Sequence, residues 1–166
     1  MSFLGLPMKP GWLEIAIILI AGCAGPVWAW EGKVTRITDG DSFWVRPADG
    51  GQPVKLRIDG IDAPEVCQAG GQAARKALAA RLMGRTVLVH TRWQDDYGRA
   101  LASVSMDGED VGAWMVSQGH AWAYGQGSGA YPALQAQAQS AARGLFADRN
   151  ALRPRIFRKQ NGPCYR

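Results

Sequence analysis

Nitrogen and sulfur ligands for a metal are nearly missing from this chain. It holds two histidines, His90 and His120, which stand apart, and three cysteines, none in a Cys-x-x-Cys pair. That excludes the usual zinc sites. There is no internal repeat, which excludes solenoids and propellers. At 166 residues the chain has room for one domain with a real core, and not comfortably for two. Acidic residues are the minority charge: Lys and Arg outnumber Asp and Glu by 19 to 14, a formal net charge of +5. An excess of this size favours a polyanionic partner such as nucleic acid without requiring one.

The first thirty residues read as an address rather than as part of the fold. Ile15 to Ala24 has the length of a signal-peptide apolar segment, Pro26 fits the break before a cleavage point, and Val27-Trp28-Ala29 offers small residues for a cut after Ala29. Two other readings stay open. Ile20-Ala21-Gly22-Cys23 resembles a lipobox, so Cys23 would be acylated, or residues 12–30 would remain as a short membrane anchor. All three place the remainder outside the cytoplasm, secreted or periplasmic if the leader is cut and membrane-anchored otherwise. Removing the leader leaves Cys67 and Cys164. An even pair in an exported chain is expected either as a disulfide or as two free thiols.

From Trp30 the chain reads as hairpins. Strands are expected over 33–37, 42–46, 54–58, 86–90 and 101–105, with Asp39-Gly40 and Tyr97-Gly98 as turns. In Val54-Lys55-Leu56-Arg57-Ile58 the apolar residues share one face, which puts Arg57 on the polar one. Helices are expected over 71–83 ending before Gly84, over 110–116 capped by Asp110, and over 131–143 closed by Gly144. Five strands with one helix inserted and two following match a five-stranded β-barrel of oligonucleotide-binding type with three helices. That domain is expected over 30–157, with 158–166 as a basic tail.

Three short segments carry the chemistry: Asp39-Gly40-Asp41-Ser42, Arg57 through Glu65, and Asp95-Asp96-Tyr97-Gly98-Arg99. Taken singly, each is an ordinary turn or hairpin end. Together they supply acidic oxygens for a hard cation, a spare carboxylate to handle a proton and two guanidiniums for a phosphate, which a metal-assisted phosphodiesterase needs. In order and spacing they closely resemble the staphylococcal nuclease (thermonuclease) family. Gln118 to Tyr124 and Ala141 to Phe146 extend the resemblance, which covers roughly residues 32–157.

The resemblance implies a calcium-dependent nuclease that acts on DNA and RNA. By position, Asp41 and Asp62 would be carboxylate ligands of Ca²⁺, and the carbonyl of Ala63 a third ligand. Asp39 would stand behind them. Glu65 would be the general base for the attacking water, or its orienter. Arg57 and Arg99 would grip the non-bridging phosphate oxygens, and Arg99 would assist the departing 5′-oxygen, leaving 3′-phosphates. Tyr97 and Tyr124 would contact the bound nucleotide. Three departures from the prototype stand out: Ala63 replaces a hydroxyl residue, Asp96 replaces a basic one, and the loop from Val66 to Ala69 is shorter. Trp28, Trp30, Trp44 and Trp114 are read as leader, barrel wall or core rather than as stacking platforms. The alternative from another class is a non-catalytic barrel that binds nucleic acid or protein without cutting it. The mature domain is expected to be a monomer.

Overall fold

The computed structural model describes residues 29–125 and 129–164. The leader with its three readings, Trp28, residues 126–128 and Tyr165 lie outside them. Among the described residues no helix is long and apolar enough to cross a membrane.

Five strands close into a barrel. They are β1 (Ala29–Ile37), β2 (Ser42–Pro47), β3 (Val54–Ile58), β5 (Thr86–Gln94) and β6 (Ala100–Met106). Their order is β3-β2-β1-β5-β6, antiparallel throughout, and the ring is shut by a parallel pairing of β3 with β6 in which Arg57 faces Leu101. Three two-residue strands complete the list: β4 (Ile61–Asp62), β7 (Glu109–Asp110) and β8 (Trp122–Ala123), with β4 paired to β8 and β7 added to β6. Alternation sends Val34, Phe43, Val45, Leu56, Ile58, Val87, Val89 and Val104 into the interior, all essentially without solvent contact.

Two helices plug the barrel. Helix α1 (Gly71–Leu82) turns Ala74, Leu78 and Leu82 inward, and α2 (Val111–Ser117) buries Val111, Met115 and Val116. Both ends that the sequence marks are built as expected. Asp110 accepts the Ala113 N–H at 2.9 Å at the start of α2. Gly84, with φ +73°, follows α1 in the left-handed region. Trp30 and Trp114 pack against this core as wall residues.

Helix α3 (Tyr131–Ser140) stops earlier than its composition suggests, because Ala142 takes φ +50° and the Arg143 N–H turns back to the Ala138 carbonyl. A single 3-10 turn, Gly144–Ala147, follows. The expectation of three helices is one short. Helix α4 (Pro154–Asn161) starts on a proline at its first position and is closed by Gly162 at φ +73°. The boundary expected between 157 and 158 therefore falls inside a helix. Its basic composition reads as a tail, yet the helix is docked. Gln68 Nε2 donates to the Leu152 carbonyl at 2.5 Å, and the Arg153 guanidinium lies 4.6 Å from the centre of the Trp122 ring. Beyond it, Cys164 is bonded to Cys67 across a sequence separation of 97.

A loop of that length is worth up to about 4–5 kcal/mol in the chain-entropy model. The realised value should be smaller, because the barrel core persists without the bond. Reduction is expected to lower Tm by several degrees, read by calorimetry with and without reductant. An unchanged Tm would mean the segment after α4 contributes nothing to global stability.

Candidate active site

Closure of the barrel is what assembles the site. Arg57 on β3 lies in register with Ser42 of β2 on one side and Leu101 of β6 on the other. The residue before β2 is Asp41, the residue before β6 is Arg99, and β4 ends on Asp62. Residues far apart in sequence thus open onto one cavity of about 540 Å³, whose lining includes Asp39, Asp41, Arg57, Ala63, Glu65, Tyr97, Arg99 and Tyr124.

The acidic turn is held by its own backbone. The Thr38 and Asp39 N–H groups donate to the Ser42 carbonyl at 2.9 and 3.2 Å, and the Asp41 N–H donates to Asp39 Oδ1 at 2.9 Å. Gly40 is required here for closeness rather than for a left-handed backbone. A Cβ on it would lie 2.7 Å from the Ala63 Cβ and 2.8 Å from that of Ala74. The absent side chain lets the turn sit against α1 and the end of β4, and so sets Asp41 beside Ala63.

Asp41 and Asp62 are 2% and 3% exposed. Carboxylates this deep must be paired, and Arg57 serves both: its two terminal nitrogens donate to Asp41 Oδ1 and Asp62 Oδ1, each at 2.9 Å. Asp41 also accepts from Ser42 Oγ at 2.7 Å and from the Ala63 N–H at 3.0 Å. Burial disfavours its charge, but the Arg57 guanidinium and the Ala63 N–H outweigh that, so its carboxyl titrates below the usual range. Burial likewise disfavours charge on Arg57, and Asp41 and Asp62 outweigh it in turn. Asp39 is pushed the other way, up to about 7, by burial and then by the negative charge of Asp41.

Glu65 sits at the end of a Pro64-led turn. Its carbonyl accepts from the Gln68 N–H at 2.8 Å, and its N–H donates to Gln68 Oε1 at 3.3 Å. Gly71 makes this packing possible, since a Cβ there would lie 1.8 Å from the Glu65 carbonyl oxygen. On the far side of the cavity, Asp95 organises the β5–β6 turn. Its Oδ1 accepts the N–H groups of Tyr97 and Arg99 at 3.0 and 2.9 Å, and its Oδ2 accepts Arg99 Nε at 2.8 Å. Burial pushes the Asp95 carboxyl up, but the Arg99 N–H leads a larger set of hydrogen bonds that hold it below the ordinary value. Arg99 lies 5.3 Å from the centre of the Tyr97 ring, and Tyr97 is 82% exposed.

Every residue expected at the site is therefore close to the cavity, with one difference of depth. Asp62 is not on its surface, because Arg57 and Arg158 cover its carboxylate. Asp96 is exposed on the turn and faces no part of the cavity lining. Sequence reasoning named Asp95 only as part of its segment, without a role of its own, and missed Gln68 and Arg158. The Asp-x-x-Gly pattern of 95–98 was a usable signal for the first. For Arg158, Pro154 and Gly162 mark a helix, but nothing in the sequence says which way it points.

Among the described residues no cluster of three or more His, Cys, Asp or Glu side chains is placed to hold a metal ion. Two buried carboxylates converge on one guanidinium, and burial, then the negative charge of Asp41, raises the carboxyl of a third, Asp39. The donor set is oxygen only. It suits a hard cation that keeps several waters, and such a cation would relieve the crowding of negative charge.

The family model of staphylococcal nuclease homologues matches residues 55–148, which leaves the acidic turn upstream of the match. Among curated proteins, the chain is 39% identical to Protein ParB of Escherichia coli over 88% of this chain and 89% of that one. It is 38% identical to a Haemophilus influenzae protein described as an uncharacterized endonuclease, over 77% and 72%. To the micrococcal nuclease of Shigella flexneri it is 34% identical, over 87% and 88%.

Proposed function

The chain belongs to the staphylococcal nuclease family, and from that premise we propose that it is an exported, calcium-dependent endonuclease that hydrolyses DNA and RNA to 3′-phosphorylated products. The observation that supports this most is the convergence of Asp41, Arg57, Glu65 and Arg99 on one cavity, with Asp62 held behind Arg57. The relatives named as an endonuclease and a micrococcal nuclease support the reaction class. Export is supported by the leader-like first 29 residues and by the Cys67–Cys164 bond, which suits an oxidising compartment. The catalytic unit begins at Trp30 and includes α4. We take it to act as a monomer.

In this reading Asp41 and Asp62, with the Ala63 carbonyl, would hold Ca²⁺, which would supply positive charge against the phosphate. The protein's own groups do the rest. Arg57 and Arg99 bind the non-bridging oxygens in planar, fixed orientations, and both are already ordered by carboxylates, so little reorganisation accompanies the reaction. Glu65 faces the same cavity, where its carboxylate orients a water and receives its proton. Arg99 stabilises charge on the departing 5′-oxygen. Tyr97 and Tyr124, both exposed at the rim, offer hydroxyls and ring faces to the nucleotide.

The test is cleavage of plasmid DNA and of RNA by the purified chain, followed by analysis of the product ends. Fragments should prime a polymerase only after phosphatase treatment. Fragments that prime directly would refute 3′-phosphate production, and binding without any cutting would favour the non-catalytic barrel.

A further inference from the structure

Helix α4 brings a third guanidinium to the site, from beyond the segment that the family model matches. Arg158 NH1 donates to Glu65 Oε1 at 2.9 Å and to Asp62 Oδ1 at 3.2 Å, and NH2 donates to Asp62 Oδ2 at 3.2 Å. The helix is fixed on both sides of it. Leu152 and Arg153 are docked ahead of Arg158, and Cys164 is bonded to Cys67 behind it. Cys67 lies two residues from Glu65, so one short segment carries both the carboxylate and the anchor of the helix that reaches it.

The arginines of the cavity differ in how far they are committed. Arg57 has both terminal nitrogens on buried carboxylates and a side chain 16% exposed, and Arg99 is held by Asp95 at 20%. Arg158 is 33% exposed, the most open of the three. A guanidinium carries five N–H donors in a fork that matches phosphate oxygens. Exchanging a carboxylate for a phosphate leaves it paired with an anion throughout, so its charge is never stranded.

We propose that Arg158 is a phosphate-binding residue of this active site, which trades its contact with Glu65 for a non-bridging oxygen when nucleic acid enters. The proposal rests on the nuclease reading for its substrate. It gives Arg158 two successive duties. Before substrate arrives, it neutralises the buried Asp62 and, on the cavity surface, Glu65. Once the phosphate is bound, Glu65 is left with its lone pairs available to water.

The experiment compares the wild-type full chain with Arg158→Ala and Arg158→Lys. KM for DNA should rise by about tenfold in Arg158→Ala, with kcat changed less, as for loss of one charged hydrogen-bonding contact. Binding of uncut duplex in EGTA, followed by fluorescence anisotropy, should weaken by a similar factor. The slope of log K against log salt should fall by about one. Arg158→Lys should recover most of the binding, because it keeps the charge. Unchanged KM and binding would overturn the proposal, as would a loss confined to kcat. Faster cutting by Arg158→Ala would overturn it too, by showing that Arg158 is a lock. A wild-type chain that binds DNA without cutting it would sink the nuclease reading instead, and the anisotropy comparison would still decide Arg158.

Discussion

Cleavage of DNA and RNA is expected to disappear in EGTA, by more than about a hundredfold, and to return when Ca²⁺ is restored. The size follows from what is removed: one oriented donor at developing charge is worth about 10²–10³ in rate, and a divalent cation carries more charge than any single donor. Mg²⁺ should restore little, because it demands a tight octahedron and gives up water reluctantly, while two carboxylates and a carbonyl leave the remaining geometry loose. Binding should also be visible without any substrate. Calcium should raise Tm, since it would bind the folded chain and relieve the crowding of Asp39, Asp41 and Asp62. Full activity in EGTA would end the metal-assisted mechanism. A silent Tm alongside calcium-dependent cutting would move the ion from these residues to the substrate complex.

Substituting Arg57→Lys should lower kcat by about two orders of magnitude or more, the scale of losing a donor to the transition state. Arg57 spans Asp41 and Asp62 with two different nitrogens of one plane, each at 2.9 Å. A single ammonium cannot reproduce that fork. One of the two buried carboxylates would lose this contact and rely on its remaining partners, Ser42 Oγ and the Ala63 N–H for Asp41 or Arg158 for Asp62. Tm should therefore fall together with kcat, the loss of stability staying below the ~3–5 kcal/mol of an unpaired buried charge. Arg99→Lys separates the two effects. Arg99 is tied to the partly exposed Asp95, so its loss should cost rate with little change in Tm. Near-wild-type turnover in either variant would remove that arginine from the chemistry.

Much of this architecture is readable because local rules and the global fold agree. Alternation in 54–58 puts Leu56 and Ile58 inside and Arg57 on the cavity side, and the observed β3 does the same. Gly84 and Asp110 mark helix ends through backbone chemistry that needs no tertiary context. What the sequence hides is tertiary. Gly40 reads as a turn former by its dipeptide, yet its function is to let the turn pack against the Ala63 and Ala74 side chains. Helix α4 is too basic to announce a buried face, and it is held by an ion cluster, a ring contact and a disulfide rather than by an apolar stripe. Arg158 was therefore invisible as a site residue, because its partners are nearly a hundred positions upstream.

The parallel pairing of β3 with β6 also dictates when the site can exist. Parallel strands cannot meet through a hairpin, and their ends must be brought together across the intervening chain before any contact rewards it, which makes such closure late in folding. Asp41, Arg57, Asp62 and Glu65 emerge early during synthesis, whereas Arg99 joins them only once the ring shuts. Arg158 and Cys164 follow all of these along the chain. A growing or translocating polypeptide thus holds the parts of the site without their arrangement until β6 has emerged and the ring has shut, and α4 joins later still.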